Sequence, residues 1–167
     1  FAAGVMIAAS VWSLLIPAIE RAEEAGQTGW IPAAGGFALG VAFLMALHQL
    51  LPHLHPGEAD PEGLPSKWNR PTLLFTAVTL HNIPEGMSVG LLFAMAAQNG
   101  GDPALFGMAV ALALGIGIQN VPEGAAVALP MLQEGVSAPK AFGLGAGSGL
   151  AEPVFGILVV LFAAVIA

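Results

Sequence analysis

Two six-residue stretches of this 167-residue chain nearly repeat each other: His81-Asn82-Ile83-Pro84-Glu85-Gly86 and Gln119-Asn120-Val121-Pro122-Glu123-Gly124. In a helix, residues four apart share a face, which pairs His81 with Glu85 and Gln119 with Glu123; the asparagines, three before the glutamates, nearly share it. Each proline removes a backbone N–H and pushes the helix away from the preceding carbonyl, that of Leu80 or Ile118, leaving a free polar oxygen beside the side chains. Glu152 has a related setting, four residues after Ser148 and directly before Pro153. Imidazole, carboxylate and side-chain amide, with a thioether such as Met6, form a mixed donor set suited to borderline divalent ions such as zinc. Polar glue between helices would not require carboxylate and proline in register twice.

The elements that must position these residues are apolar. Hydrophobic residues make up 56% of the chain and charged ones 9%, against about 25% charged in a soluble domain, and the mean hydropathy is +0.81. Five apolar segments stand out, at about 1–19, 30–51, 71–97, 103–132 and 140–167. Each can cross a hydrocarbon core of about 30 Å as a helix, and lipid leaves backbone groups no other partner. The predicted fold is all-α, a polytopic transmembrane helix bundle with antiparallel helices broken at proline. The two motif copies sit midway along the third and fourth segments, so they are expected to face each other at mid-membrane. Glu85, Glu123 and Glu152 all lie within segments, and no Lys or Arg accompanies them. A carboxylate at the bilayer centre costs about 2.5–3.5 kcal/mol on insertion scales. A divalent ion among the three removes that cost, and interrupted helices in transporters mark binding sites. On the first segment Met6, Ser10, Ser13 and Pro17 form one polar, soft stripe at helical spacing. Small residues at four-residue spacing (Gly36 and Gly40; Gly107, Ala111 and Gly115; Gly143 and Gly147; Gly145 and Gly149) are expected to let helices pack closely.

The same composition excludes other functions. Without cysteine there are no disulfides or thiolate zinc sites, and with four Lys and Arg in all and a net charge of −7, nucleic acid is not an expected partner. No phosphate-cradling Gly-x-x-x-x-Gly-Lys-Ser/Thr motif occurs, and no His-Glu-x-x-His zinc motif. The chain begins and ends inside apolar runs with no basic stretch before the first, which reads as part of a longer protein, without a signal peptide. Lys67, Arg70 and Lys140 fall in the second and fourth loops, against Arg21 with Glu20, Glu23 and Glu24 in the first. The positive-inside rule then places loop 52–70 in the cytoplasm. These residues leave three readings: a carrier of divalent metal, a metal-selective channel, and an intramembrane metalloenzyme.

The HNIPEG and QNVPEG pair on consecutive antiparallel helices resembles the Zrt/Irt-like (ZIP) family of metal transporters in its bacterial form. The run from Gly4 to Leu15 is similar to that family's second helix, and Ser148-Gly149-Leu150-Ala151-Glu152-Pro153 to its sixth. The resemblance implies eight helices, of which this chain supplies the second to the sixth, in an inner (cell) membrane, with a homodimer as one assembly. It implies a two-metal transport site for zinc, or for cadmium, iron or manganese, with the metal as substrate. Met6, His81, Glu85, Gln119 and Glu123 would hold one ion, and Asn82, Glu85, Asn120, Glu123 and Glu152 the other, with Glu85 and Glu123 bridging. Many relatives have histidine where this chain has Gln119, a weaker ligand. The His-rich cytoplasmic loop of eukaryotic relatives shrinks here to His53 and His55, near His48, which would receive metal at the exit.

Overall fold

The computed structural model describes residues 2–55 and 57–166. The chain forms α1 (Ala2–Ala8), a π-helical stretch (Ala9–Leu15), α2 (Ile16–Glu24), α3 (Trp30–Leu50), α4 (Arg70–Gln98), α5 (Pro103–Gln133), α6 (Ala138–Ser148) and α7 (Ala151–Ile166). Ala8 and Ile16 keep right-handed helical dihedrals on both sides of the π stretch, so the first three elements run as one rod. That stretch winds the rod more loosely than an α-helix, and of the expected stripe Ser10 is exposed while Met6, Ser13 and Pro17 are half-buried.

The long helices start where their caps are. Asn69 accepts from the Thr72 backbone N–H at 3.0 Å and the Thr72 hydroxyl at 2.7 Å, and Pro71 follows. Asp102 accepts from the Ala104 and Leu105 N–H groups at 2.8 and 3.3 Å, and Pro103 follows. Each side chain satisfies N–H groups that the first turn leaves without partners, and each proline sits where a missing N–H costs little. Turns with left-handed glycines, Gly100 and Gly101 after α4 and Gly135 after α5, carry the chain back.

The expected proline breaks are corrected. α4 continues through Pro84, and α5 through Pro122 and Pro130. The interruption falls instead in the fifth segment, predicted as one helix over 140–167, which divides at Gly149-Leu150. The helical partner of the Gly149 carbonyl would be the N–H of residue 153, which is proline. The Glu152 N–H takes that carbonyl instead, at 3.2 Å.

Among the described residues, three segments are long and apolar enough to cross a membrane: Trp30–Leu50, Pro103–Gln133 and Ala138–Ile166 taken across its break. α4 is as long, at 29 residues, but more polar, and it lies at the centre, packed against α5, α6 and α7. Leu73 and Leu74 of α4 meet Val127 and Met131 of α5 at one end, and Leu92 meets Ala109 and Leu112 at the other. The two helices are therefore antiparallel, with the motif copies side by side. Arg21 donates to Asn99 Oδ1 at 3.1 Å and Arg70 pairs with Glu134 at 3.0 Å, so the first and third loops share one end and the second and fourth the other. Along α3 only Ala33 is buried.

Most of the small-residue stripes do not pack. A Cβ added at Gly36, Gly40, Gly107 or Gly143 would meet open space. Close approach occurs at Gly86, Gly90 and Gly156 between α4 and α7, and at Gly124 and Gly145 between α5 and α6. Gly86 and Gly124 are the last residues of the two motif copies. The repeat ends in glycine because one copy lies against each half of the divided fifth segment, where a side chain would strike backbone.

Candidate metal centre

Glu85 is 9% exposed and Gln119 is fully buried, because both face the α4–α5 seam. The Gln119 side-chain nitrogen donates to Glu85 Oε1 and to Glu123 Oε1, each at 2.7 Å. A carboxylate oxygen accepts and does not donate, so the NH2 end of the amide must be the one between them. His81, half exposed, brings Nε2 to 3.7 Å from Glu85 Oε1. His81, Glu85 and Glu123 each offer a ligand atom, and these lie within 4.8 Å of one another. Asn120 Nδ2 donates to Glu152 Oε2 at 2.8 Å, and Asn82 Nδ2 to the Ser148 carbonyl at 3.0 Å.

After these bonds, five buried oxygens have no donor among the described residues: Asn82 Oδ1, Glu85 Oε2, Gln119 Oε1, Glu123 Oε2 and Glu152 Oε1. Buried polar atoms are normally paired, and leaving one unpaired costs about 1–3 kcal/mol, more if charged. All five are acceptors, and no Lys or Arg pairs with these glutamates among the described residues; the chemistry that satisfies such a set is a cation. Glu152 also borders a cavity of about 400 Å³ between α4, α5 and α7, in which it is the one polar side chain.

Seven of the eight predicted residues of the two ion sites thus lie on α4, α5 and α7: Gln119 bonds Glu85 and Glu123 with His81 beside them, Asn120 bonds Glu152, and Asn82 bonds the Ser148 carbonyl. Met6 is half-buried on α1, the helix that packs against α5, and its sulfur makes no hydrogen bond to the group among the described residues.

A second cluster lies at the end of α3. His48, His53, His55 and Glu62 offer ligand atoms within 4.8 Å of one another. His53 is 1% exposed, and its Nδ1 lies 2.7 Å from the Leu51 carbonyl. That contact puts a ring proton on Nδ1, and Nε2 is buried without a hydrogen bond, 3.6 Å from Glu62 Oε2. Glu62 is absent from the sequence expectation. It arrives through an antiparallel bridge in which His53 and Glu62 exchange backbone hydrogen bonds, a pairing that no local pattern in the loop announces.

A scan of protein-family profiles finds no match. The chain is 36% identical over 231 positions to "Zinc transporter ZIP11" of Xenopus tropicalis, covering 95% of this chain and 68% of that protein. The chain belongs to the ZIP family. A bacterial member, "Zinc transporter GufA" of Myxococcus xanthus, is 38% identical over 153 positions, 88% of this chain and 57% of its own length. "Zinc transporter ZIP11" of Homo sapiens is 35% identical over 94% of this chain and 68% of its own. The chain spans 57% of the bacterial relative and 68% of the two animal ones. Family membership and the three long apolar segments make this a helical membrane protein of ZIP type.

Proposed function

We propose that this chain forms the ion-binding part of a transporter that carries zinc, or a similar divalent ion such as cadmium, iron or manganese, across the cell membrane into the cytoplasm. The observation that carries the reading is the set of five donorless oxygens on the motif residues and Glu152. One ion is held by Met6, His81, Glu85, Gln119 and Glu123, and a second by Asn82, Glu85, Asn120, Glu123 and Glu152, with Glu85 and Glu123 shared. Gln119 now spends its NH2 group on one oxygen of each shared carboxylate. To ligate, its amide turns and presents Oε1. The relatives above, each named a zinc transporter, support the same substrate class. A metalloenzyme needs a general base beside an open metal position, and here the carboxylates are shared with amides instead.

The five segments span the bilayer, with Ala2–Glu24 as the first and α6 with α7 as the last. Loop 52–70, with the cluster that its His53, His55 and Glu62 form with His48 of α3, stands at the cytoplasmic exit, and the membrane is the inner one. The test is zinc uptake into liposomes by the full-length protein. Saturable uptake is expected. Uptake no faster than in empty liposomes sinks the proposal, and uptake linear in zinc makes the protein a channel.

Sidedness has its own test. Ser66 is exposed and the chain has no cysteine, so Ser66→Cys gives a single label site. An impermeant thiol reagent outside intact cells is expected not to label it; labelling reverses the orientation. Proton competition supplies another. His81 and the glutamates bind metal deprotonated, so zinc binding is expected to weaken on acidification and to release protons. Calorimetry in buffers of different ionisation enthalpy reads the release, and a heat that does not change with buffer refutes it.

A further inference from the structure

The break in the fifth segment leaves a carbonyl without its helical partner. In an unbroken helix the Ser148 carbonyl would accept from the Glu152 N–H, but that N–H goes to the Gly149 carbonyl at 3.2 Å. Ser148 is 1% exposed, so water does not replace the missing donor. The donor present is Asn82 Nδ2, at 3.0 Å, reaching across from α4. On the far side of the break, Asn120 Nδ2 reaches from α5 to Glu152 Oε2 at 2.8 Å. The two asparagines hold the same place in the two motif copies. Both acceptors can only accept, so both amides present their nitrogen to the fifth segment.

We infer that Asn82 and Asn120 are positioning residues that grip the fifth segment on the two sides of its break and so hold Glu152 beside Glu85 and Glu123. The helix surface by itself sets only part of that placement. Gly86, Gly90 and Gly156 let α4 and α7 touch backbone to backbone, which fixes their separation. Such a glycine contact is smooth, and it leaves sliding and rotation of α7 to be set by directional bonds. Asn82 fixes the end of α6, and Asn120 fixes the rotamer of Glu152 and leaves its Oε1 without a donor. Asn82 does both jobs at once: its nitrogen holds the break, and its oxygen stays available to a cation. This assignment rests on the proposed ion site only for its effect on metal; the grip itself exists without metal.

The experiment is hydrogen exchange of the full-length, metal-free protein in detergent, read at the amides of Leu150, Ala151, Glu152 and Val154. Asn82→Asp, which keeps an oxygen and loses the donor, and Asn120→Ala are each expected to speed exchange there about tenfold. Gln98→Ala is the control. Its amide donates to the Ala163 carbonyl at 3.1 Å in the same helix pair, away from the break, and its loss should leave the amides at the break unchanged. Unchanged exchange in both asparagine variants overturns the inference, and if Asn82→Asp does not fold, Asn120→Ala decides alone. Zinc titration separates a grip from a plain ligand. A ligand that gains charge in Asn82→Asp should bind zinc more tightly. A lost grip weakens the ion at Glu152 about tenfold and spares the ion at His81. Tighter binding, or equal weakening of both ions, counts against positioning. If the unmodified protein binds no zinc, the transport proposal fails while exchange still decides the grip.

Discussion

Full-length protein carrying Glu85→Ala or Glu123→Ala is expected to move no zinc into liposomes, at matched amounts of folded protein. Each carboxylate is the proposed ligand of both ions, and each now gives one oxygen to Gln119 and keeps another without a donor. Removing one takes a ligand from two ions and leaves the other shared carboxylate to balance them alone. Losing one partner of a buried charged pair costs about 3–5 kcal/mol, more than about a hundredfold in ion affinity. Glu152→Ala is expected to behave differently. Glu152 is half-buried, its side chain is bonded by Asn120 alone among the described residues, and in the proposed arrangement it touches the second ion only, so its loss should remove one bound ion and leave substantial uptake. Metal content and uptake of the three variants are the measurements. If Glu152→Ala is as inactive as Glu85→Ala, the two ion positions do not work separately. If Glu85→Ala transports normally, the metal centre lies elsewhere in the protein.

A large loss of stability is expected from Gly90→Ala. A Cβ there would overlap the Gly156 carbonyl, a backbone atom that cannot rotate away, so α4 and α7 must move apart. Overpacking of this kind costs about 1–3 kcal/mol. Gly86→Ala meets the Glu152 carbonyl in the same way and, one residue from Glu85, should also disturb metal binding. Gly107 is the control: its Cβ would meet open space, and alanine favours helix by up to about 1 kcal/mol over glycine. Denaturation midpoints of the full-length protein in detergent are expected to fall for Gly90→Ala and to hold or rise for Gly107→Ala. Equal midpoints would show that the α4–α7 contact does not carry stability.

The glycines also mark where reading the sequence stopped. A four-residue spacing of small residues identifies a smooth helix face, but several faces of this chain are smooth. Gly36 and Gly40 have the spacing and no neighbour, whereas Gly86 and Gly90 share that spacing and touch α7. Spacing is a property of one helix; contact requires a second helix at a particular height. The proline breaks follow the same rule. Pro84 and Pro122 lie in helices braced on several sides, which continue through them, while Pro153 falls beside Gly149, in a glycine-rich stretch, and there the helix parts.

The helical membrane class, the proline-marked starts of α4 and α5 and the repeated motif were legible in the sequence alone. Apolar length in lipid permits helix and little else, caps and prolines act within a turn, and a carboxylate in an apolar run needs a counter-charge whatever surrounds it. Only the tertiary structure decided which donors hold which oxygens. Gln119 on the Glu85 carboxylate, Asn82 on the Ser148 carbonyl and Glu62 beside His53 join residues 34, 66 and 9 apart in the chain. Such contacts depend on the separation, height and rotation at which whole helices and loops settle, which close glycine contacts and side-chain bonds between elements set together, rather than any local pattern.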